Sequence, residues 1–570
     1  MSAIAGIIGP GSQDEVRHML ARMSYRGNHA HTWCPAPDVY FGHIGHQSAT
    51  PADPHLLTTN PDKPMLASSL WTDPVNQLRM QNGDFAIAAV NPQADRSVLL
   101  AVDQMAYRSL YVMQLGERWA FATEYKALLA LADCPADINR DALQYYLRHG
   151  KVDMPTTLLA GAQRLVRGQF MQLRSGNASI HTYYDDAAMR AVGRRPQSGQ
   201  WVRERLEAIL MRQLDGHSRI AVTLSGGFDS TALIALIRRI RPDITIATYT
   251  IGHGTDDPEI AGARRTAEHF KTEHEEIFFD NGALPSLIPR YVWLTEDLAG
   301  RGEAILQQEV ARHIVRKDKV IVGGHAADVI FGGMPRHRLL WMADRMPPPL
   351  RGALRQFFVY TQLRNVPRSW IARKLLEYDQ GEKPVNGVQV IGAQQPQWPN
   401  DLISLSGYRS AYWVSTTFRY HEPAVNGNGM TMFSPFADPQ LREMALGLPD
   451  SSLVDARRQK RILREAMTGI LPPELLRRPK AIQRLRQDDA LPAAMRQLAQ
   501  TLQIDRSLAG RGLIARGSAD RILGASSRQF SKSAMNDTWG LICAELWMRS
   551  FCDRRGEAAI DPAGIGANGN

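Results

Sequence analysis

One short turn between a strand and a helix restricts the possible folds of this chain more than any other feature. The turn has the sequence Ser-Gly-Gly-Phe-Asp-Ser and occupies residues 225–230. It follows the apolar run at residues 220–224, which predicts a buried parallel strand, and precedes the apolar run at residues 231–240, which predicts a helix. This order of strand, glycine turn and helix is typical of an α/β fold.

The turn is suited to hold an anion. Gly226 and Gly227 let the backbone approach a ligand, and the helix start offers N–H groups and the positive end of its dipole. We predict that Ser225 and Ser230 join the two glycines in holding phosphate groups. Asp229 would repel a phosphate unless a cation lies between them, which indicates Mg²⁺. The turn matches neither GxxxxGK[ST] nor GxGxxG. The alternative is a glycine turn with a chance helix cap.

Length and composition indicate an ordinary globular protein with more than one domain. A chain of 570 residues exceeds what one hydrophobic core supports, and its 44% hydrophobic and 22% charged residues are typical of soluble proteins. We find no apolar stretch of about 18 residues and no signal peptide, so we expect a cytoplasmic protein with no membrane partner. The cysteines form no CxxC pair, which favours reduced thiols over disulfides or zinc. They are Cys34, Cys134, Cys543 and Cys552.

The net charge of +10 comes largely from one basic stretch at residues 457–486. No aromatic residues are interleaved there to stack on bases, so we do not expect a nucleic-acid partner. We interpret most of these charges as solvated helix faces, with one or two directed at phosphate. The basic residues are Arg457, Arg458, Lys460, Arg461, Arg464, Arg477, Arg478, Lys480, Arg484 and Arg486.

Two regions of the chain show different patterns. Residues 1–190 contain short apolar or alternating runs separated by turn signals, which predict a β-rich layered domain with a few helices. Predicted strands include residues 2–8, 84–90, 97–102 and 119–123, and predicted helices include residues 124–131 and 140–147. The basic, turn-rich residues 190–200 are a predicted linker.

In residues 200–555, long helical periodicities alternate with short strands at residues 219–224, 244–251 and 319–322. This alternation predicts a doubly wound parallel sheet with additional helices. The small, polar residues 556–570 are a predicted disordered tail. A second turn, Gly-Gly-His-Ala-Ala-Asp at residues 323–328, begins where a predicted strand ends, as the first turn does. Because ligands in such sheets bind beyond the carboxyl ends of strands, both turns are candidates for one site.

The first turn resembles the pyrophosphate loop of the N-type ATP pyrophosphatases, and nearly the whole chain resembles the asparagine-synthetase family. Matching segments follow in the expected order: residues 1–9 (MSAIAGIIG), 25–27 (YRG), 82–86 (NGDFA), 123–129 (TEYKALL), 331–333 (FGG), 460–466 (KRILREA), 471–473 (LPP) and 478–480 (RPK). The resemblance implies an N-terminal αββα domain like class II glutamine amidotransferases and a C-terminal ATP-pyrophosphatase domain. It also implies ATP as the nucleotide and activation of a carboxylate as an acyl-AMP.

One departure from the family pattern concerns the source of the amine. A working amidotransferase of this class uses the cysteine after the initiator methionine as its nucleophile, and this chain has Ser2 there. A hydroxyl without a dedicated base is a much poorer nucleophile than a thiolate. We therefore expect that the N-terminal domain has no glutaminase activity and is retained as a structural scaffold. The family members that this chain then resembles are those in which an amine of the substrate itself attacks. They are the β-lactam synthetases, carbapenam synthetases and lasso-peptide cyclases.

The resemblance assigns roles to several residues of the second region. Asp328 matches the second Mg²⁺-binding aspartate, partner to Asp229, and Gly323 and Gly324 belong to the same nucleotide-binding motif. Lys480 matches a lysine that stabilises the charge developing at the adenylated carbonyl. The alternatives are a helix N-cap for Asp328 and a solvated side chain for Lys480.

A general base for the attacking amine is predicted at His325. In β-lactam enzymes the matching position carries the tyrosine of a Tyr–Glu dyad, and a histidine with its unshifted pKa of about 6.5 accepts a proton near neutral pH. The alternative is a structural histidine. Glu422 is the candidate partner acid, although a surface carboxylate is an equal alternative. Where asparagine synthetases have a glutamate, this chain has residues 431–433 (TMF).

A long segment favours a peptide substrate. About 100 residues separate Gly333 from Ser434, including a Pro-rich run at 346–349 and an aromatic-rich run at 408–420. We expect this segment to form part of a peptide-holding wall, as in a lasso-peptide cyclase. Its substrate would be a precursor peptide trimmed by a leader-peptide protease, and its product an antibiotic-type macrolactam. The alternatives are a β-lactam-type synthetase acting on a small amino diacid, an ammonia-fed asparagine synthetase, and a non-catalytic nucleotide-binding scaffold.

Overall fold

The computed structural model describes most of the chain, with gaps. It covers residues 2–46, 52–59, 64–93, 97–152, 155–174, 177–185, 198–298, 303–350, 390, 423–455, 457–478, 490–524 and 532–560.

The N-terminal region contains two antiparallel sheets. Its strands are β1 (Ser2–Ile8), β2 (His29–Ala36), β3 (Val39–Gly45), β4 (Leu56–Thr58), β5 (Ala86–Val90), β6 (Val98–Val102), β7 (Tyr111–Leu115), β8 (Arg118–Ala122), β9 (Gln163–Arg164), β10 (Gln169–Arg174) and β11 (Asn177–Thr182). The strand orders are β2-β3-β1-β8-β7-β9 and β11-β10-β6-β5-β4. Its helices are α1 (Gln13–Ala21), α2 (Ala67–Thr72), α3 (Pro74–Arg79), α4 (Tyr125–Leu128) and α5 (Arg140–His149).

The two sheets pack face to face because each presents apolar side chains to the other. Phe41 and Phe121 of the first sheet lie in one buried cluster with Ala88 and Leu100 of the second. Val16 and Leu20 of α1 cover the outer face of the first sheet, while α2 and α3 cover that of the second. This arrangement confirms the predicted αββα layers.

The C-terminal region contains one parallel sheet with helices on both faces. Its strands are β12 (Arg219–Thr223), β13 (Thr245–Gly252), β14 (Glu273–Phe278), β15 (Val320–Val322) and β16 (Thr431–Phe433), in the order β14-β13-β12-β15-β16. Its helices are α6 (Gly199–Gln213), α7 (Phe228–Ile240), α8 (Pro258–Phe270), α9 (Leu284–Thr295), α10 (Glu303–Ile314), α11 (Ala327–Ile330), α12 (Pro335–Ala343), α13 (Pro439–Gly447), α14 (Asp450–Leu453), α15 (Arg461–Ala466), α16 (Pro473–Leu476), α17 (Ala490–Thr501), α18 (Ile504–Gly510), α19 (Ser518–Leu523) and α20 (Lys532–Trp547), followed by the π-helix Met548–Asp553. The predicted doubly wound α/β sheet is confirmed.

The strand order reverses at the site predicted from the sequence. The chain runs from β12 outward through β13 to β14, then crosses back to β15 and continues to β16 on the other side. In such sheets the point where the order reverses, here between β12 and β15, is where ligands bind. The turns that follow these two strands are the two turns singled out in the sequence.

A buried network of charges joins the two regions. The Lys126 ammonium lies 2.6 Å from Glu124 Oε2 and 3.3 Å from Glu296 Oε1. It also lies 4.5 Å from the centre of the Trp293 ring. Glu296, at the end of α9, accepts the backbone N–H groups of Tyr125 and Lys126 at 3.0 and 2.8 Å. The segment after α9 is therefore anchored to α4.

The predicted domain limits remain predictions, because most of the linker lies outside the described residues. Within the predicted tail, Gly556 N–H donates to Ser550 O at 2.8 Å and Ile560 is buried. In the described part of the chain, none of the helices combines the length and apolar character needed to span a membrane.

Candidate active site

The first turn packs so tightly that it requires glycine. Gly226 has a φ of +63°, and a Cβ there would lie 2.8 Å from Glu259 O and 2.9 Å from Ala263 N. Both contacts are with the backbone of α8, which cannot yield as a flexible side chain can. Glycine accepts the positive φ without steric cost and leaves the turn in contact with this helix.

The turn continues directly into α7. Gly227 is the residue before the helix, and it has no side chain that could occupy the first-turn N–H groups. Thr231 Oγ1 donates to Gly227 O at 2.8 Å, and the Ser225 and Ser230 hydroxyls lie 3.5 Å apart. Asp229 lies in the first turn of the helix. The helix begins three residues earlier than predicted, at Phe228, so Asp229 and Ser230 are helical.

The second turn touches the first. A Cβ on Gly324 would lie 3.3 Å from Asp229 Cβ, so the two turns are in close contact. Ala326 adopts a left-handed conformation with a φ of +77° immediately before α11. Asp328 then lies in the first turn of α11. The structure thus brings together the two aspartates predicted as metal ligands.

A lysine bridges these two aspartates. Lys460 Nζ lies 2.6 and 2.5 Å from the two carboxylate oxygens of Asp229 and 2.6 Å from Asp328 Oδ1. The lysine side chain is only 4% exposed, so water screens these contacts little. Both carboxylates raise the pKa of Lys460, although burial opposes them.

The geometry of the pair fits a bound Mg²⁺ ion. The lysine contacts show that both carboxylates converge on one point within reach of a single cation, and carboxylate oxygens are preferred ligands of Mg²⁺. Among the described residues, no group of three or more His, Cys, Asp or Glu side chains could hold a metal. Phosphate oxygens and water would therefore supply the remaining ligands.

Two arginines fasten the basic segment to the first turn. Arg478 Nη1 donates to Gly226 O, Gly262 O and Thr266 Oγ1 at 3.0, 3.1 and 2.7 Å. Arg464 Nη2 donates to Arg478 O at 3.0 Å, and its guanidinium lies 4.5 Å from the centre of the Phe228 ring. Lys480 lies outside the described residues, two positions beyond Arg478 in the sequence.

Burial changes the expected chemistry of His325. The predicted role assumed an unshifted pKa, and that assumption is wrong: burial lowers the pKa of His325 to about 4. The imidazole is therefore neutral at pH 7 and able to accept a proton, but it is a weaker base than assumed. His325 Nδ1 lies against Gly323, where a Cβ would approach it to 2.4 Å. The proposed partner Glu422 lies outside the described residues.

The sequence interpretation missed Lys460, Arg464 and Arg478 as members of the site. It treated the basic stretch mainly as solvated helix faces; Arg457 and Arg477 are exposed, although both lie outside the helices. Lys460 is instead buried between two carboxylates. The signal that could have found these residues is their place within the segments KRILREA and RPK, which match the family pattern.

Comparison with known proteins identifies the family. A profile described as "Asparagine synthase" matches residues 201–549, more than half of the chain. The chain belongs to the asparagine synthase family. It is therefore an ATP-dependent ligase that forms C–N bonds. A profile described as "Glutamine amidotransferase domain" matches residues 52–184.

Individual relatives of the family are distant in sequence. A putative glutamine-hydrolysing asparagine synthetase from Mycobacterium bovis is 26% identical over 443 residues, covering 71% of this chain and 67% of the relative. A carboxyethyl-arginine β-lactam synthase from Streptomyces clavuligerus is 28% identical, covering 48% of this chain and 50% of the relative. The solved glutamine PRPP amidotransferase from B. subtilis is 12% identical, covering 48% of this chain and 65% of that one, with a TM-score of 0.21.

The amidotransferase-like domain of this family member has a serine at the start of β1. Ser2 Oγ donates to Thr59 O at 2.7 Å. Ser2 lines a small cavity between the two regions together with charged side chains, among them Arg26, Arg108 and Glu296. The hydroxyl is thus directed at a backbone carbonyl.

Proposed function

We propose that this family member is an ATP- and Mg²⁺-dependent macrolactam synthetase of the lasso-peptide type. It adenylates an Asp or Glu side chain of a precursor peptide, and the free N-terminal amine of the same peptide closes an isopeptide ring. The observation that carries the adenylation step is the convergence of Asp229 and Asp328 on one cation beside a phosphate-binding turn.

The reaction has two steps. A carboxylate oxygen of the peptide attacks the α-phosphorus of ATP, the bond between the α-phosphorus and the bridging oxygen breaks, and pyrophosphate leaves. The peptide amine then attacks the acyl carbon, AMP leaves, and the amine proton passes to a base. Mg²⁺ held by Asp229 and Asp328 would neutralise the phosphate charge.

The remaining roles fall to residues around the two turns. The residues Ser225, Gly226, Gly227 and Ser230, with Gly323 and Gly324, hold the phosphates. Lys480 stabilises the charge at the reacting carbonyl. His325, neutral at pH 7, accepts the amine proton. Because the reaction consumes ATP, we expect it in the cytoplasm.

Two features support an amine supplied by the substrate itself. Ser2 lacks the thiol of a working amidotransferase, and its hydroxyl donates to Thr59 O. The cavity beside it is lined by the charged residues Arg26, Arg108, Glu124 and Glu296. Glutamine should therefore yield no glutamate when it is incubated with the protein, ATP and peptide. Glutamate release in proportion to product would contradict this part of the proposal.

A peptide substrate is supported by the long segment between Gly333 and Ser434. Its aromatic run at residues 408–420 lies outside the described residues. Val390 is the described residue in the middle of the segment; it is buried, and its N–H donates to Gln144 Oε1 at 2.6 Å. The partners that we propose are the precursor peptide and a leader-peptide protease.

A second candidate is a β-lactam-type synthetase acting on a small amino diacid. The Streptomyces clavuligerus relative, which is named for that activity, favours it. Both candidates share the adenylation step and differ in the size of the substrate.

Pyrophosphate release with matched substrates tests the choice between these candidates. A leaderless peptide with a free N-terminus and a downstream Asp or Glu should stimulate ATP-dependent release and give a product lighter by one water. The same peptide with an acetylated N-terminus should give no cyclised product. Cyclisation of a small amino diacid, with none of the peptide, would establish the second candidate instead.

A further inference from the structure

We propose that the Lys460 ammonium is the resident counter-ion of the Asp229–Asp328 pair, and that a divalent metal enters the pair only when a nucleotide draws the lysine away. This inference rests on the proposed metal site. It assigns Lys460 the role of a positioning residue that makes metal binding depend on nucleotide.

The contacts place the ammonium where a metal would lie. One nitrogen is within 2.6 Å of three carboxylate oxygens, two on Asp229 and one on Asp328. Protein ligands bind Mg²⁺ at about 2.0–2.1 Å, so an ion shared by both carboxylates would need the volume that the ammonium fills. The lysine and the metal therefore exclude each other.

The position of Lys460 is unfavourable both for its backbone conformation and for its positive charge. Lys460 has a φ of +56° and stands at the N-terminus of α15, where the helix dipole disfavours a cation. The two carboxylates offset both effects. Gly333 makes room, since a Cβ there would lie 2.1 Å from both Lys460 Cε and Asp328 Oδ1.

Electrostatics then sets the order of binding. A metal ion that arrives alone must displace a buried ammonium from two carboxylates. A nucleotide brings phosphate oxygens to the adjoining turn, and these can accept the lysine's hydrogen bonds while the metal takes the carboxylates. The metal is therefore expected to enter together with the nucleotide.

Mn²⁺ binding without nucleotide, followed by electron paramagnetic resonance, tests the proposal. The wild-type protein should bind the ion weakly, and Lys460→Met should bind it about tenfold more tightly or better, because a positive charge beside the site is gone. The double variant Lys460→Met/Asp328→Asn should lose the gain. Arg461→Met, which removes an exposed charge on the neighbouring residue, should match the wild type.

The outcomes separate this proposal from the proposed metal site. If the wild type binds Mn²⁺ tightly without nucleotide, and this binding depends on Asp328, the proposal is overturned. That measurement needs no lysine variant. If Lys460→Met fails to fold, Lys460→Gln, which keeps a hydrogen-bond donor without charge, replaces it. No gain in either variant, together with Asp328-dependent binding in the presence of a non-hydrolysable ATP analogue, refutes the proposal and leaves the metal site standing. The absence of Asp328-dependent binding under every condition refutes both.

Discussion

At the scale of single residues, His325 shows how burial alters an expected role. The ring lies beyond β15 in the second turn, and its surroundings disfavour a positive charge. A histidine with a pKa of about 4 is neutral at pH 7. In the proposed reaction it would accept a proton only as the amine releases one, so its contribution would depend on position rather than on basicity.

The titration of His325 provides a prediction. Its folded pKa of about 4 is below the ordinary value of 6.5, so the stability that a neutral ring contributes is full above pH 6.5 and is lost as the pH falls toward 4. The ring signal of ¹³C-labelled His325, assigned with His325→Gln, should not titrate between pH 8 and pH 5.5. A midpoint near 6.5 would show that the ring is solvated and would contradict the buried position of His325.

At the scale of elements, the contact between the first turn and α8 decides the shape of that turn, the proposed phosphate site. Gly226 satisfies two structural requirements at once: a left-handed backbone conformation and a close approach to Glu259 O and Ala263 N. Arg478 reinforces the same contact through Gly226 O and Gly262 O. The turn is thus held from the helix side and from the basic segment.

Gly226→Ala should weaken ATP binding by about tenfold or more, because the new Cβ forces the turn away from α8 and moves its N–H groups. Gly216→Ala is the matched control: Gly216 also has a positive φ, +72°, but nothing lies within 4 Å of its Cβ position. Both variants bear the strain of about 1–2 kcal/mol of a left-handed alanine. Calorimetric titration with ATP should find the loss of affinity in Gly226→Ala alone; equal losses would mean that strain, not contact, matters.

At the scale of the whole molecule, the buried charges around Lys126 hold the amidotransferase-like layers against the ligase domain. The side chain of Lys126 is fully buried between Glu124 and Glu296. An uncompensated buried charge costs far more than a surface ion pair contributes. The amidotransferase-like domain therefore has a structural role in the protein, whatever its chemistry.

Lys126→Met should destabilise the protein by about 3–5 kcal/mol, because buried Glu296 loses its ammonium partner and Glu124 keeps only Arg26 as a cationic partner. Arg17→Met, which breaks the ion pair with Asp14 on the surface of α1, should cost no more than about 1 kcal/mol, since those side chains are 58% and 75% exposed. Differential scanning calorimetry compares the two. Equal melting temperatures for both variants would show that the buried network stabilises the protein no more than a surface ion pair does.

The local features of this protein are determined by the sequence alone. The turn at residues 225–230, the strand before it and the helix after it follow from glycines and from the periodicity of apolar residues over a few positions. Strand β1 has the predicted limits, and β12 and α7 differ by a few residues from prediction. Ser2 stands where a working amidotransferase has a cysteine, and this difference is visible in the sequence without any structure. The turn, the strand and the helix depend on near neighbours, so spacing is sufficient to predict them, whereas the meaning of Ser2 comes from the resemblance to the family.

The arrangement of the site was decided only by the tertiary structure. Lys460 reaches Asp229 across 231 positions of sequence, and a lysine at a helix start is ordinarily solvated. The shift in the pKa of His325 depends on which atoms surround the ring, and the cavity beside Ser2 needs residues from both domains. Burial and long-range contacts determine how strongly these charged groups interact. Neither can be predicted from a periodic pattern of residues.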